Sequence, residues 1–560
     1  MAKRKKRKIK KNVFVVLIML LISFVGVTYL LLNNKKLNRT NEYYLASDLQ
    51  ILSLYNENKE SVKEVIRGNK VKAYINQTLD DEYIKVKYEN EEFYVNKNNL
   101  VKDKKDIVKE QEVYVRTSYN LNKDTNSSHL LELCNKGDKL TVIGYDKLDS
   151  EGNVNMYEVK TSNGVTGYFY KKYVTLDSES ALANYAPDGI YKIHAAKKDT
   201  LGGGDGASLD YYPVVKPKFE DNVMPDNVYS LYLNGTKAVI SKVDKYIEYA
   251  KTTKINAFVV DIKDSGVSAY ASEVMKEISP TSYKNAQNSL EDYQEAIKKI
   301  KEAGFYVIGR ITTFKDTYYV SDHKEYAISN KNGTPMLHQK SYWTSAYNRE
   351  VWEYNIELAK EAVKLMGFNE IQFDYVRFPD GLRTKEKNNQ VDYKNVYKET
   401  KAQVLQRFLM YATNELHKLN VYVSCDVFGE SSSGYVTAYG QYWPAMSNIV
   451  DVISAMPYTD HFDQNNSNYW TNPYNTMKNW GKTAASRQKE ISTPAIARTW
   501  ITAYNTPYWN PTVAYNGEKL TDQIKALYEV GLDGGYMTWN SGSNLDKYKK
   551  QMSAFNKEYE

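Results

Sequence analysis

Apolar and polar side chains alternate along Ile371-Gln372-Phe373-Asp374-Tyr375, as they do in a β-strand with two different faces. Ile371 and Phe373 suit a side that packs against helices, and Gln372 and Asp374 then point the other way. A strand of this kind, followed by a loop and an amphipathic helix, recurs eight times from residue 226 onward. The pattern predicts an α/β fold, a (β/α)8 TIM-type barrel over residues 226–560.

The eight predicted strands share one rim, because the parallel strands of a barrel present their carboxyl ends at the same face. They are Tyr229–Leu233, Ala257–Asp261, Tyr306–Ile311, Ile371–Tyr375, Val421–Asp426, Val452–Met456, Ala495–Arg498 and Gly535–Trp539. The last inward position of six strands holds a charged or amide residue: Asp261, Arg310, Asp374, Asp426, Arg498 and Asn540. One buried polar residue is ordinary, but six on one rim predict an active site.

Three aspartates, two arginines and no clustered histidines restrict the chemistry of this rim. The six histidines show neither H-E-x-x-H nor another ligand spacing, so we expect no metal and no cofactor. The sequence has no G-x-S-x-G, which argues against nucleophilic acyl transfer. Paired carboxylates remain, and glycoside hydrolysis needs one that donates a proton and one that acts as nucleophile or base. Trp500 and Trp539, in or next to loops after strands, offer flat surfaces for sugars.

A longer set of motifs carries a family resemblance. The motifs are Phe373-Asp374-Tyr375-Val376-Arg377-Phe378-Pro379, Asp261-Ile262-Lys263-Asp264, Asp426-Val427-Phe428-Gly429 and Ser454-Ala455-Met456-Pro457-Tyr458. Together they resemble the family of glycoside-hydrolase-like barrels long known only as a domain of unknown function. The resemblance covers about residues 226–555 and includes a distant likeness to alpha-amylase-type barrels. It implies a reaction class rather than a particular sugar.

The resemblance also implies roles for individual residues. Asp374, at the end of the fourth strand, would be the nucleophile, and Asp426 or Glu430, at or after the end of the fifth, would be the acid. Arg310 and Arg377 would orient Asp374, although Arg377 could instead pair with Asp380 and fix the turn at Pro379. The further candidates for substrate binding are Asp261, Asp264, Tyr458, His461, Arg498, Trp500, Trp539 and Asn540.

The N-terminus predicts a membrane anchor. Residues 13–32 carry no charge and, as a helix, are long enough to cross a bilayer. Eight of the first eleven residues are Lys or Arg, so the positive-inside bias places this tail, residues 1–12, in the cytoplasm. A cleaved signal peptide is the alternative, but Tyr29-Leu30-Leu31-Leu32 offers no small-residue cleavage site. We therefore expect a single-pass cell-membrane protein whose C-terminal domains are extracellular.

The exported part is close to electrically neutral. Of the 75 Lys and Arg, 67 remain when the eight tail residues are removed, against 68 Asp and Glu. Nucleic acid is therefore not an expected partner. The two cysteines, Cys134 and Cys425, fall in different predicted domains, and we expect buried thiols rather than a disulfide.

Two small all-β modules precede the predicted barrel. Residues 110–177 contain a Gly137-Asp138 turn and the segment Gly164-Val165-Thr166-Gly167-Tyr168, which resemble a bacterial SH3 domain, and residues 41–105 resemble a degenerate copy. In that family such modules bind cell-wall polymers or act as spacers. Residues 178–225, rich in glycine and proline, are predicted to be a linker or a wrapping loop.

The leading hypothesis is a membrane-anchored extracellular glycoside hydrolase that acts on a cell-envelope or secreted polysaccharide. The alternative is a non-catalytic carbohydrate-binding or cell-wall scaffold protein on an inactive barrel, because a fold does not fix a function. A polysaccharide deacetylase is a third class, and it would need a bound metal ion.

Overall fold

The computed structural model describes residues 11–185, 189–506 and 508–559, so residues 1–10 of the predicted basic tail lie outside the described residues. Helix Lys11–Leu37 contains the predicted span 13–32 and extends beyond it at both ends. Within the described residues, it is the one helix whose length and composition suffice to cross a membrane. A helix of this composition near the N-terminus fits a membrane anchor or a signal sequence.

The chain divides into two compact units, and the first contains two antiparallel seven-stranded sheets. The strands of the first sheet are Thr40–Leu45, Ile51–Tyr55, Ser61–Ile66, Lys70–Thr78, Tyr83–Tyr88, Glu91–Asn96 and Leu100–Val101. Those of the second are Glu112–Val115, Tyr119–Asn122, Leu130–Cys134, Lys139–Tyr145, Met156–Lys160, Thr166–Tyr170 and Val174–Thr175. Numbered along the chain within each sheet, both follow the order 3-2-6-5-4-1-7. The two sheets repeat one topology, and their assignment as SH3 domains stays a prediction.

Along strands of both sheets, every second side chain is buried in the core that the sheet covers. Leu52 and Leu54 are buried in the first sheet, and Val113 and Val115 are buried in the second, each pair two residues apart on one strand. Period-two burial is the pattern of a sheet that covers a core with one face. Cys134, in the second sheet, and Cys425, in the barrel, are buried free thiols, which confirms that expectation.

The second unit is built around a nearly closed barrel of parallel strands, which confirms the predicted fold class. The strands are β1 (Val228–Leu233), β2 (Ala257–Asp264), β3 (Tyr306–Thr312), β4 (Glu370–Asp374), β5 (Tyr422–Phe428), β6 (Val452–Met456), β7 (Ile496–Ala497), β8 (Thr499–Thr502) and β9 (Gly535–Trp539). β7 pairs with β6, β8 pairs with β9, and β9 pairs with β1. Only Arg498 separates β7 from β8, so nine strand segments correspond to the eight predicted strands.

Alternate side chains of β4 form layers inside the barrel. Glu370, Gln372 and Asp374 are all buried, and Gln372 Nε2 donates to Oγ of Ser454 on β6 over 3.3 Å. The strand register places Arg310 of β3 beside Gln372. The apolar layer around these residues comes from most of the strands: Val228, Tyr232, Ala257, Val259, Tyr306, Ile308, Tyr422, Trp500 and Met537.

Helices alternate with the strands and pack against them. The longer helices are Val243–Ala250, Leu290–Glu302, Arg349–Met366, Lys401–His417, Pro473–Gln488 and Gly517–Tyr528. Shorter helices are Lys237–Ile240, Glu273–Ile278, Pro280–Lys284, Thr317–Asp322, Arg383–Lys387, Trp443–Ser447, Asn468–Thr471, Leu545–Lys550 and Met552–Phe555. The Asn348 side chain caps Arg349–Met366 at its N-terminus, and Gly367, with a φ of 68°, ends it in the left-handed region.

The segment before the barrel, residues 189–224, packs against the barrel. The Gly203 carbonyl accepts a hydrogen bond from the Ala402 amide over 3.0 Å, at the start of helix Lys401–His417. A Cβ at Gly203 would lie 2.0 Å from the Thr437 carbonyl oxygen, so only glycine fits there. Further along, the ring of Phe219 packs against Tyr422 with ring centroids 4.9 Å apart. Residues 189–224 of the segment predicted as a linker or a wrapping loop, 178–225, therefore pack against the barrel of the second unit.

Candidate active site

Arg310 is the centre of a buried charged cluster at the carboxyl end of β2 to β5. Its Nη1 donates to Oδ1 of Asp261 over 2.7 Å, and its Nη2 and Nε donate to Oδ2 of Asp374 over 2.5 and 3.2 Å. Its Nε also lies 3.8 Å from Oδ2 of Asp426. All four residues are at most 4% exposed. The strands thus bring together four of the six rim residues, Asp261, Arg310, Asp374 and Asp426.

The two carboxylates of Asp374 and Asp426 lie close enough to act as a pair. Arg310 Nε lies 3.2 Å from Oδ2 of Asp374 and 3.8 Å from Oδ2 of Asp426, so these oxygens are about 7 Å apart or less. This limit covers the ~5–5.5 Å of retaining glycosidases and the lower end of the ~6.5–9.5 Å of inverting ones. The two carboxyl groups are therefore no farther apart than glycoside hydrolysis by paired carboxylates allows.

Asp426 is the carboxyl group whose environment most favours a bound proton. Burial and the neighbouring Asp374 carboxylate raise the pKa of Asp426 well above that of a free aspartate, and Arg310 opposes them. Its Oδ1 accepts a hydrogen bond from Nε1 of Trp500 over 2.7 Å. Its Oδ2 is buried and has no hydrogen-bond partner among the described residues. Asp426 is therefore suited to hold and donate a proton.

Asp261 completes the cluster from β2. The hydroxyl of Tyr232, on β1, donates to Oδ2 of Asp261 over 2.5 Å, while Arg310 occupies the other carboxylate oxygen. Burial raises the pKa of Asp261 to about 6, although the Arg310 cation acts in the opposite direction. The sequence analysis did not identify Tyr232 as a candidate site residue. Its position near the carboxyl end of the first predicted strand could have indicated one.

The two candidate tryptophans lie at this cluster but in different roles. Trp500 is only 1% exposed, so it is a hydrogen-bond donor to Asp426 rather than an open surface for a sugar. Trp539 is half-buried, and the guanidinium of Arg310 lies 5.4 Å from the centre of its ring. Asp264 is the exposed member of the group, with one carboxylate oxygen 3.9 Å from Nη1 of Arg310.

Arg498 and Asn540 do not join the cluster. Arg498 is fully buried beside Glu370, at the amino end of β4, and its Nη1 donates to both Glu370 oxygens over 2.9 Å. The sequence predicts a strand that ends at Arg498, whereas β8 continues to Thr502. Arg498 therefore lies toward the amino end of the barrel. The amide of Asn540 donates to the Asn544 carbonyl in the loop after β9.

An open cleft of about 1270 Å³ borders the cluster on the side of β4 to β6. Tyr375, directly after Asp374, and Phe428, two residues after Asp426, line it, so the buried carboxylates lie just beneath its wall. Glu430, Tyr458 and His461 also line this cleft. The hydroxyls of Tyr435 and Tyr439 donate to the exposed Glu430 carboxylate over 3.0 and 2.9 Å. The structure thus separates the two candidate acids: Asp426 in the buried cluster, and Glu430 in the cleft.

Arg377 pairs with Asp380 rather than with Asp374, the alternative that the sequence left open. Its Nη1 donates to Oδ1 of Asp380 over 3.1 Å and to the Phe378 carbonyl, and its guanidinium lies 4.3 Å from the ring centre of Phe428. Arg377 therefore fixes the turn after β4 and one wall of the cleft. The Asp374 carboxylate is bonded instead by Arg310 and by the Tyr375 backbone amide, which donates to Oδ1 over 2.5 Å. Within the described ranges, no group of three or more His, Cys, Asp or Glu side chains is arranged to hold a metal ion.

Comparison with known proteins places the barrel in a family. A family model described as "Putative glycosyl hydrolase domain" matches residues 230–545. Among curated proteins, none gives a significant match.

Several solved structures are similar to parts of the chain. A hypothetical protein from Ruminiclostridium thermocellum is 34% identical and matches 35% of this chain and 97% of its own, with a TM-score of 0.30. The PgaB (BpsB) glycoside hydrolase domain from Bordetella bronchiseptica is 13% identical, covers 60% of this chain and 99% of its own, and has a TM-score of 0.42. A class V chitinase from Pseudomonas fluorescens is 12% identical over 58% of this chain and 99% of its own, with a TM-score of 0.38.

Proposed function

Because the chain belongs to the glycosyl hydrolase domain family that matches residues 230–545, we propose that it hydrolyses glycosidic bonds with Asp374 and Asp426 as its paired carboxylates. The observation that carries the proposal is the position of Arg310 Nε, 3.2 Å from Asp374 and 3.8 Å from Asp426. One cation thus lies close to both carboxyl groups, which are no farther apart than this chemistry allows.

The surroundings of the two carboxyl groups determine which one donates a proton and which one acts as the carboxylate. Asp426, whose pKa burial raises, donates its proton to the oxygen of the glycosidic bond as that bond breaks. Asp374 acts as the carboxylate that either attacks the anomeric carbon or activates a water molecule. Arg310 positions Asp374 through two hydrogen bonds, and Trp500 positions Asp426 through one. Water supplies the hydroxyl that bonds to the anomeric carbon. Its other proton goes to Asp426 if Asp374 is the nucleophile, or to Asp374 if Asp374 activates the water, and in that case proton exchange with solvent restores both groups.

A second candidate function, carbohydrate binding without catalysis, is favoured by one observation. Asp374 and Asp426 are 4% and 1% exposed, so a glycan in the cleft contacts Tyr375 and Phe428 before it reaches either carboxylate. Catalysis then requires movement of that wall by a side-chain rearrangement.

The backbone of Tyr375 points instead to a functional site. Tyr375 has a φ of 53°, in the left-handed region that L-residues rarely adopt, and it directly follows Asp374. Such strain concentrates at functional sites.

We further propose that helix Lys11–Leu37 anchors the chain in the cell membrane, with the barrel outside the cell. The substrate is then a cell-envelope or secreted polysaccharide, and the two seven-stranded sheets either bind a cell-wall polymer or act as spacers. Protease added to intact bacterial cells that express the chain is expected to digest the barrel. A barrel that resists digestion until the cells are lysed would contradict this orientation.

Asp374→Asn tests the hydrolase proposal. The substitution keeps the size of the side chain but removes the carboxylate, so we expect sugar release to fall by about 10³-fold or more with the fold unchanged. The assay is reducing-sugar release from a panel of envelope and secreted polysaccharides by the full chain in detergent. Asp244→Asn, the same substitution at an exposed aspartate on helix Val243–Ala250, is the matched control and is expected to retain full activity. Retained activity in Asp374→Asn contradicts the assignment.

A further inference from the structure

The cleft beside the charged cluster is lined on one side by a stripe of uncharged polar residues. Helix Pro473–Gln488 and its N-terminal cap present Asn472, Asn475, Asn479 and Thr483 to the cleft. These residues are three, four and four positions apart, the spacing that places side chains on one face of a helix. Asn475 and Asn479 are exposed, and their side chains have no hydrogen-bond partner among the described residues. The stripe thus offers free amide groups to whatever occupies the cleft.

The charges of the same helix lie outside the cleft. Lys478 Nζ contacts Glu529 over 2.7 Å, and the exposed Lys482 is not among the residues that line the cleft. Lysine is therefore present at neighbouring positions of this helix but not on the stripe. A surface that recognises a polyanion would instead place lysine or arginine toward its ligand.

The other described walls of the cleft carry no lysine either. Among the described lining residues, the basic side chains are Arg377 and His461. Arg377 is buried and paired with Asp380, 3.1 Å away. The acidic lining residues are Asp380, which pairs with Arg377, and Glu430, whose exposed carboxylate would repel an anionic polymer. The electrostatic character of the cleft is therefore neutral to acidic.

Aromatic rings supply the apolar part of the surface. Phe462 and Tyr469 stack with ring centroids 5.2 Å apart and planes 12° from parallel, and both line the cleft. Trp480 lines it as well, held by a hydrogen bond from its Nε1 to the Gly429 carbonyl. Flat rings beside amides match sugars, which have an apolar ring face and a polar edge. A volume of about 1270 Å³ exceeds that of pockets for single small molecules, so several sugar units fit.

We propose that this cleft binds an uncharged glycan chain and selects against anionic polymers, an inference that rests on the proposed function and specifies its substrate class. Asparagine side chains both donate and accept hydrogen bonds, as do sugar hydroxyl and acetamido groups. The binding elements are the stripe of Asn475 and Asn479 and the stacked pair Phe462 and Tyr469. The proposed reaction site, Asp374 and Asp426, lies behind the wall that Tyr375 and Phe428 form in the same cleft.

The test measures binding separately from cleavage. Full-length protein in detergent, carrying Asp374→Asn so that the ligand persists, is titrated with hexasaccharides while tryptophan fluorescence is recorded. The uncharged probes are cellohexaose and N-acetylchitohexaose, and the anionic probe is hexagalacturonate. We expect an uncharged hexamer to bind at least 10-fold more tightly than hexagalacturonate. Adding Asn475→Ala and Asn479→Ala together is expected to weaken that binding by about 10-fold or more, because two hydrogen-bonding groups are lost.

Lys482→Ala, on the same helix but outside the cleft, is the matched control and should leave the affinity unchanged. Tighter binding of hexagalacturonate, binding of neither uncharged hexamer, or an affinity insensitive to the asparagine pair would overturn the inference. Hydrolysis by the unsubstituted chain is measured on the same probes. Cleavage of the anionic hexamer would leave the hydrolase proposal standing while refuting the substrate class. Binding of an uncharged hexamer that depends on the asparagine pair, without cleavage of any glycan, would support the substrate class while refuting the hydrolase proposal.

Discussion

The two ends of the barrel interior both bury a carboxylate of β4 against an arginine, but they balance charge differently. At the amino end, Arg498 Nη1 donates to both oxygens of Glu370, one cation for one carboxylate. At the carboxyl end, Arg310 is the one cation that the described residues offer to three buried carboxyl groups: Asp261, Asp374 and Asp426. Gln372, a neutral residue, separates the two levels on the same strand.

This difference shows how one scaffold makes one site stable and another reactive. A balanced buried pair has no reason to take up a proton, whereas three carboxylates around one cation repel one another. The excess negative charge is relieved when one carboxyl group stays protonated, and the raised pKa of Asp426, caused by burial and by Asp374, is the expected consequence. Charge imbalance thus produces a proton donor beside an arginine-bound carboxylate, as acid catalysis requires.

The largest effect on stability is expected at the balanced end. Arg498→Met leaves Glu370 buried without its partner, which should lower the free energy of unfolding by about 3–5 kcal/mol. Denaturant unfolding of the full chain, followed by tryptophan fluorescence, measures it. The double variant Glu370→Gln/Arg498→Met removes both charges and should recover most of the loss. Equal destabilisation by the single and double variants would contradict the view that Arg498 acts by balancing Glu370.

A smaller effect, dependent on pH, is expected at the crowded end. Burial raises the pKa of Asp261 from 3.8 to about 6, so the folded state binds this proton more tightly than the unfolded state does. Stability should therefore fall by about 3 kcal/mol as pH rises from about 4 to about 6, and then level off for this group. Asp261→Asn should remove that slope. The measurement is the free energy of unfolding against pH for both proteins, and parallel curves would contradict the assigned shift.

The smallest effect is expected in the cleft. Glu430 is exposed and bonded to Tyr435 and Tyr439, so Glu430→Gln should lower kcat/KM by about 10-fold or less. Asp426→Asn, in the buried cluster, should cost about 10²–10⁴-fold, the usual contribution of a general acid. The measurement is kcat/KM for both variants on one glycan. A larger loss in Glu430→Gln than in Asp426→Asn would assign the acid to the cleft instead of the cluster.

Alternation along the strands predicted most of the cluster. Asp261, Arg310, Asp374 and Asp426 come together because each lies on the inward side of a strand, in its C-terminal half, and the structure contains all four strands. Glu370 was missed, although it has the same parity as Gln372 and Asp374, because the strand was taken to begin one residue later. Its partner Arg498 was placed at the wrong end of the barrel, since the strand break at that residue resembles a strand end in the sequence.

The cleft could not be predicted from such alternation. Its amides belong to helix Pro473–Gln488 and the loop before it, and which face of that helix lines a cleft depends on packing against strands distant in sequence. Trp500 shows the same limit, because its position after a strand suggested an open sugar platform. The continuation of β8 to Thr502 instead turns its indole onto Asp426, inside the barrel. The alternation of apolar and polar residues predicts a strand but does not predict the residue at which that strand ends.

The protonation state of Asp426 tests the account most directly. Infrared difference spectroscopy at neutral pH, comparing the full chain with its Asp426→Asn variant, separates a protonated carboxyl group from a carboxylate. We expect the variant to lose the carbonyl band of a protonated carboxyl group, because three buried carboxyl groups share the Arg310 cation. Loss of carboxylate bands alone would show that Asp426 is ionised at rest, and would contradict its role as the proton donor.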